Sequence, residues 1–124
     1  MRGNHLLIDA RGIPYQVSDE PLVRRLFANL VAHLKLTPAS IVNVTHFPAD
    51  QTHPHGISAS QMLGESHMSY HSFSETGGFA FDLYSCGHFD HMLADHIVRT
   101  AFNNKGIFRT HVISRDFLPA PGSK

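Results

Sequence analysis

Between residues 18 and 38 the apolar positions Leu22, Val23, Leu26, Phe27, Leu30, Val31 and Leu34 recur three and four apart, behind Ser18 and a pair of acids and ahead of Pro38. That spacing predicts an amphipathic helix with a capped start. Elsewhere the pattern shortens. Residues 5–12 form an apolar run that ends at a glycine, and 40–47 is β-branched and half alternating; both predict strands. The prolines and glycine of 48–56 cannot continue a ladder and mark a loop. Three short extended runs follow, at 57–63, 66–73 and 78–85, the last two separated by the turn-rich Ser74–Glu75–Thr76–Gly77–Gly78. Over 89–106 a second helical stripe is predicted through Met92, Leu93, His96, Ile97 and Ala101, stopped by Asn103, Asn104 and Gly106. Residues 107–117 alternate as a last strand, and 118–124 read as a frayed tail.

The order β-α-β-β-β-β-α-β suits an α+β fold: a largely antiparallel sheet with two helices on one face, a two-layer sandwich. At 124 residues the chain fits one domain, 1–124. The second sheet face needs cover, and self-association as a homodimer or higher homo-oligomer is the simplest way to provide it.

Ten basic and ten acidic residues balance, with no run of five of either sign. No electrostatic footprint argues for nucleic acid or an anionic membrane, so the expected partner is a small molecule or another protein. The N-terminal apolar run is broken by Asp9 and Arg11, too short for a signal segment or a membrane span; the expectation is a soluble, cytoplasmic protein. The single cysteine, Cys86, cannot close an internal disulfide and is free for packing or chemistry.

Eleven histidines are the compositional oddity. Cys86, His88, His91 and His96 lie close in sequence, yet Cys-x-His-x-x-His is not a usual ligand spacing and no second cysteine completes a closed site. No metal is expected.

Residues 64–87, GESHMSYHSFSETGGFAFDLYSCG, gather reactive side chains that a structural hairpin has no need of. In a regular strand Ser66, Met68, Tyr70 and Ser72 share one face, and His67, Ser69, His71 and Phe73 the other. A sharp turn or bulge at 65–66 is the way Ser66 and His71 could meet. Antiparallel pairing across the 74–78 turn brings 84–86 alongside 66–71, which predicts Ser66, His71 and Cys86 as neighbours.

This segment resembles the self-processing segment of S-adenosylmethionine decarboxylase proenzymes of the short prokaryotic type. The matching positions are Glu65, Ser66, His67, Ser69, His71, Glu75, Gly77, Asp82, Cys86 and Gly87, without a gap. Weaker likeness extends to Gly3–Asn4–His5–Leu6 and to Pro54–His55–Gly56–Ile57–Ser58. The resemblance implies a pyruvoyl enzyme that makes its own cofactor. Ser66 would attack the Glu65 carbonyl, the resulting ester would eliminate to dehydroalanine, and loss of ammonia would leave a pyruvoyl group at position 66. The chain would be cut into 1–65 and 66–124. By matching position, His71 takes the proton of the elimination and Ser58 steadies the ester; near-neutral imidazole suits such base work. The pyruvoyl ketone would hold S-adenosylmethionine through a Schiff base and draw electrons as carbon dioxide leaves. Cys86 would reprotonate the α-carbon, Glu75 would bind the ribose hydroxyls, and the product would feed spermidine synthesis.

Two departures from the pattern stand out: Phe73–Ser74 replaces its Trp-Pro, and Thr52 replaces the aromatic residue that stacks on the adenine. Phe47, Phe73 or His53 are the candidates to supply that face. The alternatives are a pyruvoyl-dependent arginine or ornithine decarboxylase of the same fold, and an unprocessed histidine-rich binding module.

Overall fold

The structure, a computed structural model, describes residues 2–52 and 54–118. His53 and all of the predicted tail except Leu118 lie outside these residues. Six strands and two helices follow the expected order. They are β1 (Arg2–Arg11), α1 (Glu20–Leu34), β2 (Asn43–Phe47), β3 (Gly56–Leu63), β4 (Ser66–Phe73), β5 (Gly78–Ser85), α2 (His91–Ala101) and β6 (Ile107–Asp116). The strands form one sheet in the order β2-β3-β4-β5-β1-β6, every neighbouring pair antiparallel.

Helix α1 forms where the apolar period placed it. Asp19, one residue inside the expected start, is its N-cap and accepts from the Leu22 N–H at 3.2 Å. Lys35 closes the other end in the left-handed conformation, its N–H reaching the Val31 carbonyl. Val23, Leu26, Phe27 and Leu30 are buried against Leu6, Ile8, Met68, Phe81 and Leu83 of the sheet. Each such side chain contributes about 1.5–3 kcal/mol on leaving water.

Helix α2 differs from its predicted stripe by about one position. Ala94, Val98 and Phe102 are the fully buried positions, whereas Met92 is 75% exposed and His96 faces solvent. The Asp90 cap, accepting from the Leu93 N–H at 3.0 Å, sets the helix phase, and the small Ala94 side chain suits close packing on the core. Strand β2 is shorter than the predicted 40–47, because the N–H groups of Ala39 and Ser40 turn to the Met62 carbonyl.

The core reaches towards the site through aromatic contacts. Tyr70 stacks on Phe79, which stacks in turn on Phe102, and the buried Tyr70 hydroxyl donates to the Val17 carbonyl at 2.7 Å. Gly78 opens β5 where only glycine fits: a Cβ there would sit 2.3 Å from the Ala10 carbonyl oxygen. The outer sheet face, away from the helices, carries Met62, Phe73 and Ile113 at about half exposure among its polar residues.

Candidate functional site

The junction between residues 65 and 66 lies in the tightest turn of the sheet. Leu63 pairs directly with Ser66, so Gly64 and Glu65 alone connect β3 to β4. Glu65 takes φ 54, the left-handed region that a residue with a long side chain enters at a cost. The turn is anchored from behind, since the Gly64 N–H donates to the Thr37 carbonyl at 2.9 Å and Pro38 bridges to Leu63. The chain does turn sharply at 65, as anticipated.

Ser66 is buried at the start of β4, and its hydroxyl donates to Ser85 Oγ at 3.1 Å. Ser85 also accepts from the Gly87 N–H at 3.1 Å, which fixes the turn carrying Cys86. Cys86 is half-buried and donates its S–H to Glu65 Oε2 at 3.1 Å. That carboxylate, with some burial, raises the thiol above its ordinary pKa. A cavity of about 430 Å³ opens here, lined by Lys35, Glu65, Ser66, Ser85, Cys86 and His88 among others.

His71 is not at this junction. The register from Ser66↔Ser85 to Phe73↔Gly78 runs without a bulge, so strict alternation places His71 on the outer face and Ser66 on the helix face. Five residues of rise separate them, about 17 Å. The expectation that Ser66, His71 and Cys86 are mutual neighbours therefore holds for Ser66 and Cys86 only. The turn precedes Ser66 and cannot re-aim a side chain five residues later. His71 instead stands opposite Ser58 in register, the two joined by a hydrogen bond of 2.7 Å between Ser58 Oγ and His71 Nδ1.

Glu75 lies beyond the far end of β4, in the turn before β5. It lines a cavity of about 530 Å³ with Phe47, Asp50, His55, Phe73 and Ser74. Phe47 and Phe73 offer the apolar faces here, at 52% and 44% exposure. Behind the cavity, Ser74 Oγ donates to the His55 carbonyl at 2.8 Å, and the buried Ser18 hydroxyl meets Ser72 and Ser74, each at 2.7 Å. His55 Nε2 shares a hydrogen bond with His46 Nδ1 at 2.9 Å, and His46 Nε2 bonds Glu20. The two imidazoles are nearly parallel at 9° with centroids 5.2 Å apart. With the nitrogens in hydrogen-bond contact, that geometry sets the rings edge to edge in one plane.

Ser85 and the Glu20–His46–His55 chain are additions to the residues picked from sequence. Ser85 was within reach, because it faces Ser66 in the pairing already expected. Glu20 was not, because only the packing of α1 beside β2 brings it to His46. Among the described residues no group of three His, Cys, Asp or Glu side chains could hold a metal ion, and no helix is long and apolar enough to cross a membrane.

Comparison with known proteins adds three findings. The family described as S-adenosylmethionine decarboxylase matches residues 4–116. Among curated relatives, an S-adenosylmethionine decarboxylase proenzyme 2 of Bacillus cereus is 33% identical over 85 residues, 68% of this chain and 65% of that protein. An S-adenosylmethionine decarboxylase proenzyme of Persephonella marina is 36% identical over 86 residues, 68% of this chain and 60% of that protein. The aligned segment thus spans a little under two thirds of these relatives' length. Among solved structures, the adenosylmethionine decarboxylase from Aquifex aeolicus superposes with a TM-score of 0.77 at 25% identity, covering 98% of this chain and 97% of that one.

Proposed function

Because the chain belongs to the S-adenosylmethionine decarboxylase family, we propose that it is a proenzyme that cuts itself between Glu65 and Ser66 and then decarboxylates S-adenosylmethionine. Its product is the aminopropyl donor for spermidine synthesis. The observation that carries this reading is the junction itself: a left-handed Glu65 in a two-residue turn, followed by a buried serine hydroxyl and flanked by the only cysteine.

Ser66 attacks the carbonyl carbon of Glu65, nitrogen leaves carbon as oxygen joins it, and an ester replaces the peptide bond. Loss of the Ser66 α-proton expels the Glu65 carboxylate, and hydrolysis of the resulting dehydroalanine releases ammonia. The residues present fit a pyruvoyl group at position 66: a serine supplies its carbons, and the cavity of about 430 Å³ gives it room. Once formed, that group supplies a carbonyl that condenses with a substrate amine and withdraws electrons as carbon dioxide leaves.

The base of the elimination is His71 with Ser58, and the distance decides where they come from. At about 17 Å of strand rise and on the other face, a chain's own His71 cannot reach its own Ser66. His71 and Ser58 of a second copy fill that role, so the enzyme works as at least a dimer in which the outer-face His71 of one copy is brought to the 65–66 turn of the other. Glu75 lies at the same end of the sheet and comes with them, accepting the ribose hydroxyls while Phe47 and Phe73 cover the base. Cys86 returns a proton to the α-carbon.

Release of carbon dioxide from S-adenosylmethionine, arginine and ornithine tests the substrate. The pair Asp50 and Glu75 in the cavity, with Thr52 in place of an aromatic residue, favours arginine or ornithine as the second reading. Turnover confined to a basic amino acid selects that reading. Turnover of S-adenosylmethionine alone selects the first.

A further inference from the structure

The contact between Cys86 and Glu65 joins the cysteine to the residue whose carbonyl the cleavage consumes. The S–H of Cys86 points at Glu65 Oε2 from 3.1 Å, and Glu65 is turned back over the cysteine by its left-handed backbone. A thiol has one hydrogen, and here it is committed to a carboxylate. Ionising it would place two anions in contact at a half-buried position.

We propose that Glu65, besides giving its carbonyl to the cleavage, is a positioning residue that holds Cys86 as a neutral thiol aimed at the 65–66 junction.

The proposal deepens the reading above, in which Cys86 has to deliver a proton and therefore has to carry one. Lys35, from the end of α1, and His88, from the loop after β5, line the same cavity. A thiolate beside an electrophilic carbonyl is a nucleophile rather than an acid. Glu65, reaching in from the β3–β4 turn, keeps the proton on the sulfur. Its direction agrees with the raised thiol of Cys86, for which the hydrogen bond to Glu65 is the largest cause.

The test uses the uncut chain, Ser66→Ala, in which Cys86 is the only thiol and every alkylation event reports on it. The rate of iodoacetamide modification is followed from pH 6 to pH 10 in this chain and with Glu65→Ala, Glu65→Gln or Glu65→Asp added. Removal of the carboxylate is expected to move the midpoint down, which makes modification near neutral pH severalfold faster. Glu65→Gln keeps an acceptor without the charge and should behave like Glu65→Ala, while Glu65→Asp should restore the slow rate. Thermal unfolding of each variant and the rate in urea mark any chain that is fast only because it is unfolded. An unchanged midpoint in folded Glu65→Ala and Glu65→Gln overturns the proposal. The wild-type chain, run beside them, separates the two ideas: failure to cleave contradicts the proenzyme reading, while cleavage with an unmoved thiol midpoint contradicts only the role of Glu65.

Discussion

Ser66 and His71 occupy the same strand, five residues apart, with their side chains on opposite faces of the sheet. Ser66 is bound to Ser85 beneath the helices, and His71 is bound to Ser58 on the outer face. A cleavage that uses both must draw them from different copies of the chain.

This requirement predicts complementation. Ser66→Ala and His71→Ala should each stay uncut when expressed alone. Expressed together, the His71→Ala chain should be cut in mixed dimers, because the Ser66→Ala partner still supplies His71. With random pairing about half of the chains sit in mixed dimers, so a substantial part of the His71→Ala chain should appear as fragments on a denaturing gel. No cleavage in the mixture, with mixed dimers demonstrated by a tag on one chain, contradicts a shared site.

Ser85 accepts the hydroxyl hydrogen bond of Ser66, the proposed nucleophile. Ser85→Ala removes the acceptor of the Ser66 hydroxyl and leaves the Gly87 N–H without its side-chain partner. One such hydrogen bond is worth about 1 kcal/mol, so self-cleavage should slow severalfold while the fold persists. A time course of fragment appearance after refolding measures it; Ser85→Thr, which keeps a hydroxyl, should recover most of the rate.

Glu20 links stability to pH. The hydrogen bond from His46, and after it the one from Arg24, lowers the Glu20 carboxyl below its ordinary pKa. The folded state thus binds this proton less readily than the unfolded one. The stability Glu20 adds is present above the ordinary carboxylate range and is lost as pH falls through the lowered folded value. Unfolding midpoints of wild type and Glu20→Gln should differ at pH 7 and converge towards pH 3. Equal gaps at both pH values contradict the assignment.

How much of this was legible beforehand depends on the range over which each contact is determined. The apolar periods of 22–34 and the alternation of 66–73 and 78–85 are local signals, and α1, β4 and β5 followed them closely. The phase of α2 was missed because Met92 and Leu93 look more apolar than Ala94, while the sheet selects the residue small enough to approach it. In the site, the expected strand pairing placed Ser66 beside Cys86, and the structure brings Glu65, Ser66 and Cys86 to one cavity. His71 was misjudged by treating nearness along the pairing as nearness in space, although the period of two already put it on the other face. The Glu20–His46–His55 chain left no trace in the sequence, since residues 26 and 9 positions apart meet only after α1 has packed beside β2.

The most direct test of the central claim is the intact mass of freshly purified protein under denaturing conditions, with Ser66→Ala beside it. The account predicts two masses from the wild type, corresponding to 1–65 and to 66–124 with its first residue converted to a pyruvoyl group and closed to N-terminal sequencing, and one uncut mass from Ser66→Ala. A single uncut mass from the wild type contradicts the account and leaves a histidine-rich binding module in its place.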